Sequence, residues 1–105
     1  MYMIFQLFYE KYISDILMAL AEAGIEDTIV VSGEATGHKL IFDNPLFASF
    51  RDTYGAQRDY GKVIMGFAEE KQVQYIIDEL KHAGVDIIGD ELGKIILINS
   101  HKIYG

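Results

Sequence analysis

Short stretches in which almost every position is apolar alternate along the chain with longer ones in which apolar residues recur every third or fourth position. The first kind occurs at Met3–Phe8, Thr28–Ser32, Val63–Phe67 and Lys94–Asn99. Their β-branched and aromatic content, bounded by glycine and polar residues, predicts strands. The second kind carries Ile13, Ile16, Leu17 and Leu20, and later Val73, Ile76, Ile77 and Leu80. That spacing of i, i+3, i+4 and i+7 predicts two amphipathic helices. Gly24 and Gly84 stand just past them, where a left-handed residue closes a helix.

The two halves of this pattern are copies. An offset of sixty residues lays Met3–Asp27 on Val63–Ile87, with Glu10-Lys11 on Glu70-Lys71 and Ala23-Gly24-Ile25 on Ala83-Gly84-Val85. The four apolar positions of the first helix fall on the four of the second. Two copies are too few for a solenoid, so the chain reads as one duplicated β-α-β unit. Right-handed crossovers then give an α+β, ferredoxin-like βαββαβ domain over 1–105. It has a four-stranded antiparallel sheet with both helices on one face. The strand segments Ile29-Val30-Val31 and Ile95-Ile96-Leu97-Ile98 are apolar without alternation, and such strands want cover on both faces. With only two long helices available, the expectation is a closed homo-oligomer in which sheet faces of different copies meet.

A long loop, residues 33–61, joins the two repeats. Its twenty-nine residues exceed what a strand connection needs, and loops of that length are usually functional or disordered. Asn44-Pro45 makes a good helix start, and Leu46, Phe47 and Phe50 give a short apolar face after it. Arg51, Tyr54, Arg58 and Tyr60 form a basic-aromatic cluster in an otherwise acidic chain. Two readings stand side by side: a contact arm for a partner, or a packed excursion that lengthens a hairpin.

Composition narrows the chemistry. The chain has no cysteine, which removes thiolate nucleophiles, redox pairs and cysteine-based zinc sites. A net charge of −7 makes it a poor counterion for a phosphate backbone, so nucleic acid is not an expected partner. The longest apolar runs reach about half a membrane span, so no membrane insertion is expected. The segment MYMIFQLFYEK has neither the basic start nor the small-residue cleavage site of a signal peptide, which makes a cytoplasmic protein the expectation. His38, His82 and His101 lack paired ligand spacing, and His82 suits a helix C-terminus. Ser14, Ser32, Ser49 and Ser100 lack the glycines of a nucleophile elbow. No residue pattern argues for an enzyme.

The stretch Ile87–Ile98, IIGDELGKIILI, is the remaining feature. Gly89-Asp90-Glu91-Leu92-Gly93-Lys94 approaches the phosphate-cradling pattern G-x-x-x-x-G-K-[ST] but fails it. A spacer residue is missing, Ile95 replaces the magnesium-binding hydroxyl, and a strand follows where a helix should start. On spacing, two readings remain open. One is a plain turn; the other is a nest of bare glycine N–H groups with Lys94 as countercharge.

Taken together, the β-α-β repeat, the long loop after the second strand and the Gly89-Asp90…Gly93-Lys94-Ile95-Ile96 loop resemble the PII-like signalling proteins. The resemblance covers nearly the whole chain in layout. It implies a homotrimer that binds adenine nucleotides (ATP, ADP or AMP) in clefts between subunits. It further implies that the long loop signals to a protein partner, a transporter or an enzyme. By the same resemblance the ligand-binding candidates are Gly33, Gly37 and Lys39 at the start of the loop, Gly89, Asp90, Gly93 and Lys94 before the last strand, and Lys102 near the C-terminus. The partner-contacting candidates are Phe47, Phe50, Arg51, Tyr54, Arg58 and Tyr60. Against the family's pattern Glu91-Leu92 is an insertion, and the basic positions are fewer. Two other layouts share the architecture: the CutA-like divalent-cation-binding trimers and the ACT-like amino-acid-binding modules.

Overall fold

The computed structural model describes residues 1–33 and 61–105. Strand β1 spans Tyr2–Leu7, β2 Thr28–Ser32, β3 Lys62–Phe67 and β4 Gly93–Ile98. Helix α1 spans Ile13–Glu22 and is led in by one 3-10 turn, Glu10–Tyr12; helix α2 spans Glu70–His82. The strands lie in the order β2-β3-β1-β4, and each neighbouring pair is antiparallel. This is the expected ferredoxin-like topology. The strand bounds move by a residue from the expectation: β1, β3 and β4 each begin one position earlier, and β1 and β4 also end one earlier.

Side-chain alternation along β1 decides which face is covered. Met3, Phe5 and Leu7 are fully buried. Phe5 lies opposite Ile64 on one side and Ile95 on the other. Ile16, Ala19 and Leu20 of α1 and Val73, Ile76 and Leu80 of α2 complete that core, all 6% exposed or less. Each large side chain buried in this way contributes roughly 1.5–3 kcal/mol. The α2 start is fastened to the α1 end by Gln72. Its side-chain oxygen accepts from the Glu69 N–H (2.8 Å) and its amide donates to the Ala23 carbonyl (3.1 Å).

The other face of the sheet is a different surface. By register it carries Ile4, Ile29, Val31, Met65, Phe67, Ile96 and Ile98. Five of these are large and substantially exposed, from Ile96 at 39% to Ile29 at 58%. Tyr2 and Phe67 pack edge to face on it, 5.1 Å between centroids. The continuous apolar character of the strands is therefore met on one side by helices, while the opposite side keeps its apolar residues at the surface. Among the described residues no helix is long and apolar enough to cross a membrane.

Candidate functional site

The duplication extends to individual hydrogen bonds. At the end of α1 the N–H groups of Ala23, Gly24 and Ile25 donate to the carbonyls of Ala19, Ala21 and Leu20 at 3.0, 3.1 and 2.9 Å. At the end of α2 those of Ala83, Gly84 and Val85 donate to Glu79, Lys81 and Leu80 at 3.2, 3.1 and 2.7 Å. Every partner shifts by the same sixty residues. Gly24 (φ +81°) and Gly84 (φ +90°) both adopt the left-handed conformation that closes such ends.

Beyond this point the copies part. In the first repeat β2 begins at Thr28, whose counterpart at the repeat offset is Ile88; β4 begins only at Gly93, five residues later. The extra chain folds into a turn that satisfies its own backbone. The Gly89 N–H donates to the Asp86 carboxylate (3.0 Å) and that of Asp90 to the Asp86 carbonyl (3.0 Å). Those of Glu91 and Leu92 reach the carbonyls of Ile88 (3.3 Å) and Ile87 (2.9 Å). The nest of bare N–H groups needs donors that this turn has already used. A Cβ on Gly89 would overlap the Asp86 carboxylate, so a side chain there would push that carboxylate aside. Gly93 is required by the sheet, since a Cβ there would meet the Gln6 carbonyl at 2.6 Å. Leu92 is buried and joins the core. Glu91 takes a left-handed conformation (φ +53°). The Glu91-Leu92 pair thus closes the turn and returns the chain to the sheet.

What the turn builds is a cleft of about 480 Å³ lined by Phe8, Ile88, Glu91, Gly93, Lys94 and Ile95. The walls are apolar, and Ile88 is 57% exposed. Among the described residues neither Glu91 nor Lys94 makes an ion pair or a side-chain hydrogen bond. One uncommitted carboxylate and one uncommitted ammonium therefore share an apolar cleft. That combination suits a ligand with a flat or aliphatic body, one anionic group, and hydroxyls or an amine for Glu91 to accept.

Of the sequence candidates, Gly89, Asp90, Gly93 and Lys94 come together here, with Lys94 and Gly93 on the cleft wall and Asp90 beside it. Gly33 follows β2, and its N–H donates to the Gly61 carbonyl (2.7 Å), pinning the two ends of the long loop together. The ladder places Ser32, Lys62, Leu7 and Gly93 in one row, so the loop leaves the sheet at the end that carries the cleft. Lys102 lies away from the cleft lining, its ammonium over the Tyr104 ring at 4.9 Å. Gly37, His38, Lys39, Phe47, Phe50, Arg51, Tyr54, Arg58 and Tyr60 fall outside the described residues. His82 occupies the last turn of α2 with Lys81, as its dipole preference suggests.

Sequence reasoning passed over Phe8, Ile88, Ile95 and Asp86. Phe8 and Ile95 lie in expected strands, and Ile88 reads only as part of an apolar run. Asp86 had a legible signal, since an Asp accepting from an N–H a few residues ahead is a common turn device. Among the described residues no group of three or more His, Asp or Glu side chains is arranged to hold a metal ion. No protein-family model matches the chain, and no curated protein matches it either.

Proposed function

We propose that this is a non-enzymatic, cytoplasmic regulatory protein that takes a small ligand in the cleft beside β4. It relays the ligand's presence to a protein partner, a transporter or an enzyme, through residues 33–61. The observation that carries the reading is the pair of uncommitted opposite charges, Glu91 and Lys94, set among the apolar walls of Phe8, Ile88 and Ile95. An adenine nucleotide fits this lining. Its base lies against the apolar walls, its ribose hydroxyls donate to Glu91, and its phosphate meets Lys94. The common row of Ser32, Lys62, Leu7 and Gly93 supports the relay, because cleft and loop base share one end of the sheet, roughly 14 Å or three strand spacings apart.

Calorimetric titration with ATP, ADP, AMP and cyclic AMP tests the ligand. Binding of any of them that is lost in Lys94→Ala supports the reading, and silence for all four at millimolar nucleotide removes the nucleotide. In the same proposal the protein is a homotrimer whose copies bury the open sheet face. Exposed apolar surface of this extent marks an association site, and among the described strand residues Tyr2, Gln6 and Lys94 bring polar groups to it. Ile96→Glu then yields monomers in sedimentation, where the unaltered protein sediments as a trimer.

The same charge pair supports a second reading, an amino-acid-binding module. The carboxylate of a free amino acid meets Lys94, its ammonium meets Glu91, and an apolar side chain lies on Ile88 and Ile95. A thermal-shift screen with amino acids distinguishes the two readings, since stabilisation by leucine or phenylalanine but by no nucleotide selects the second.

A further inference from the structure

The turn that builds the cleft also limits the charge of what enters it. Asp86, Asp90 and Glu91 all lie on the segment between α2 and β4, which has no lysine or arginine, and among the described residues the one cation lining the cleft is Lys94. The backbone of the turn offers no help to an anion. The N–H groups of Gly89, Asp90, Glu91 and Leu92 are consumed within the turn, the first of them by the carboxylate of Asp86 itself. An internal anion thus occupies the donor that a phosphate chain would need. Sites that hold polyphosphates rely on several such donors or on stacked cations, because each phosphate must regain what it loses in hydration.

We infer that the cleft takes a ligand carrying a single phosphate and discriminates against di- and triphosphates. This rests on the nucleotide reading above and goes past it, since a cleft of this volume would otherwise admit all four nucleotides alike. Lys94 balances the single charge of a cyclic phosphate and about half that of a phosphate monoester. A further phosphate finds no second cation among the described lining residues and meets Glu91 instead, with the charge of Asp90 one residue away in the chain, and like charges brought together weaken binding. At a partly solvated site each such encounter costs roughly a tenfold loss in affinity.

The experiment is calorimetric titration of the full chain with AMP, cyclic AMP, ADP and ATP, with and without magnesium, on the unaltered protein and on Asp90→Asn. Asp90 does not line the cleft, so its neutralisation leaves the ligand contacts in place. The expected result is AMP or cyclic AMP binding at least tenfold tighter than ATP. Asp90→Asn is expected to raise ATP affinity several-fold while leaving that of the monophosphate within twofold. ATP binding as tightly as the monophosphate, free or with magnesium, overturns the inference and leaves the nucleotide reading standing. An Asp90→Asn variant that raises both affinities equally also overturns it. Silence for all four nucleotides instead removes the nucleotide reading, and the inference with it.

Discussion

The two β-α-β repeats share a hydrogen-bonded helix end down to individual donors and acceptors, yet the first exits beside a cleft of about 310 Å³ edged by Gly24–Asp27, while the second builds one of about 480 Å³ from an extended turn. After Ile25 the first repeat enters β2 within three residues, tied by the Thr28 N–H to the Glu26 carbonyl at 3.0 Å. After Val85 the second takes the detour through Asp86–Leu92 before β4. The two copies therefore share a scaffold and differ in the length of chain between helix and strand. The extended copy holds what the other lacks, an aspartate that caps its own turn, a glutamate in a left-handed conformation and a lysine at the second position of its strand β4. Function in small folds often sits where a repeat departs from its twin, because the shared part is already committed to packing.

The largest effects should fall on the shared part, and equally on both copies. Leu20 and Leu80 occupy the same place in α1 and α2, at 2% and 3% exposure. Either one changed to Ala should lose about 2–5 kcal/mol in urea unfolding. A gap between the two variants wider than about 1.5 kcal/mol would mean that the copies share a pattern without sharing an environment. Next come the helix ends. Gly24→Ala and Gly84→Ala each force a Cβ into left-handed backbone, which costs about 1–2 kcal/mol. Neither site has a close neighbour, the nearest being Gln72 Nε2 at 3.8 Å from Gly24, so the cost comes from conformation alone and should match in both.

How much of this was legible beforehand follows the same division. The shared part reads directly from the sequence. Apolar runs announce the strands, the three-four spacing announces the helices, and Ala23-Gly24 and Ala83-Gly84 announce their ends. These signals are local and redundant, since each helix is specified by periodicity and by its cap at once. The cleft is another matter. Gly89, Asp90, Gly93 and Lys94 could be singled out, but spacing does not reveal that the turn spends its N–H groups internally. That depends on where the Asp86 carboxylate reaches. Nor does it reveal that Phe8, from the other repeat, lines the same cleft as Ile88, because only the β1–β4 pairing joins them. The exposed sheet face lies between these cases. Unalternating Ile95–Ile98 demanded cover on both sides, and only one side is met within the described chain.

The divergent turn should respond where its twin does not. Asp86→Ala removes the acceptor of the Gly89 N–H and should cost about 0.5–1.5 kcal/mol. Glu26 holds the matching place in the first repeat and makes no such bond within the described chain, so Glu26→Ala should stay within about 0.5 kcal/mol of the unaltered protein. Paired unfolding curves for the two variants read the difference directly. Equal curves would reduce the Asp86 bond to an exposed contact of no energetic weight.

Glu91 offers the finest test, because its expected sign is the opposite of the others. A glutamate at φ +53° is an uncommon choice where glycine would sit without strain. Glu91→Gly relieves that strain but gives the unfolded chain more freedom, so the net gain should be small, up to about 1 kcal/mol. If the glutamate is there only to complete a turn, the variant should be more stable and otherwise unchanged. If it is held there for the ligand, the same variant should gain stability and lose affinity for whichever ligand the titrations identify. Unfolding and calorimetry on this one variant therefore separate a turn inherited as it stands from a turn kept under strain for binding. No residue of the first repeat allows that separation, since its one left-handed position is already glycine.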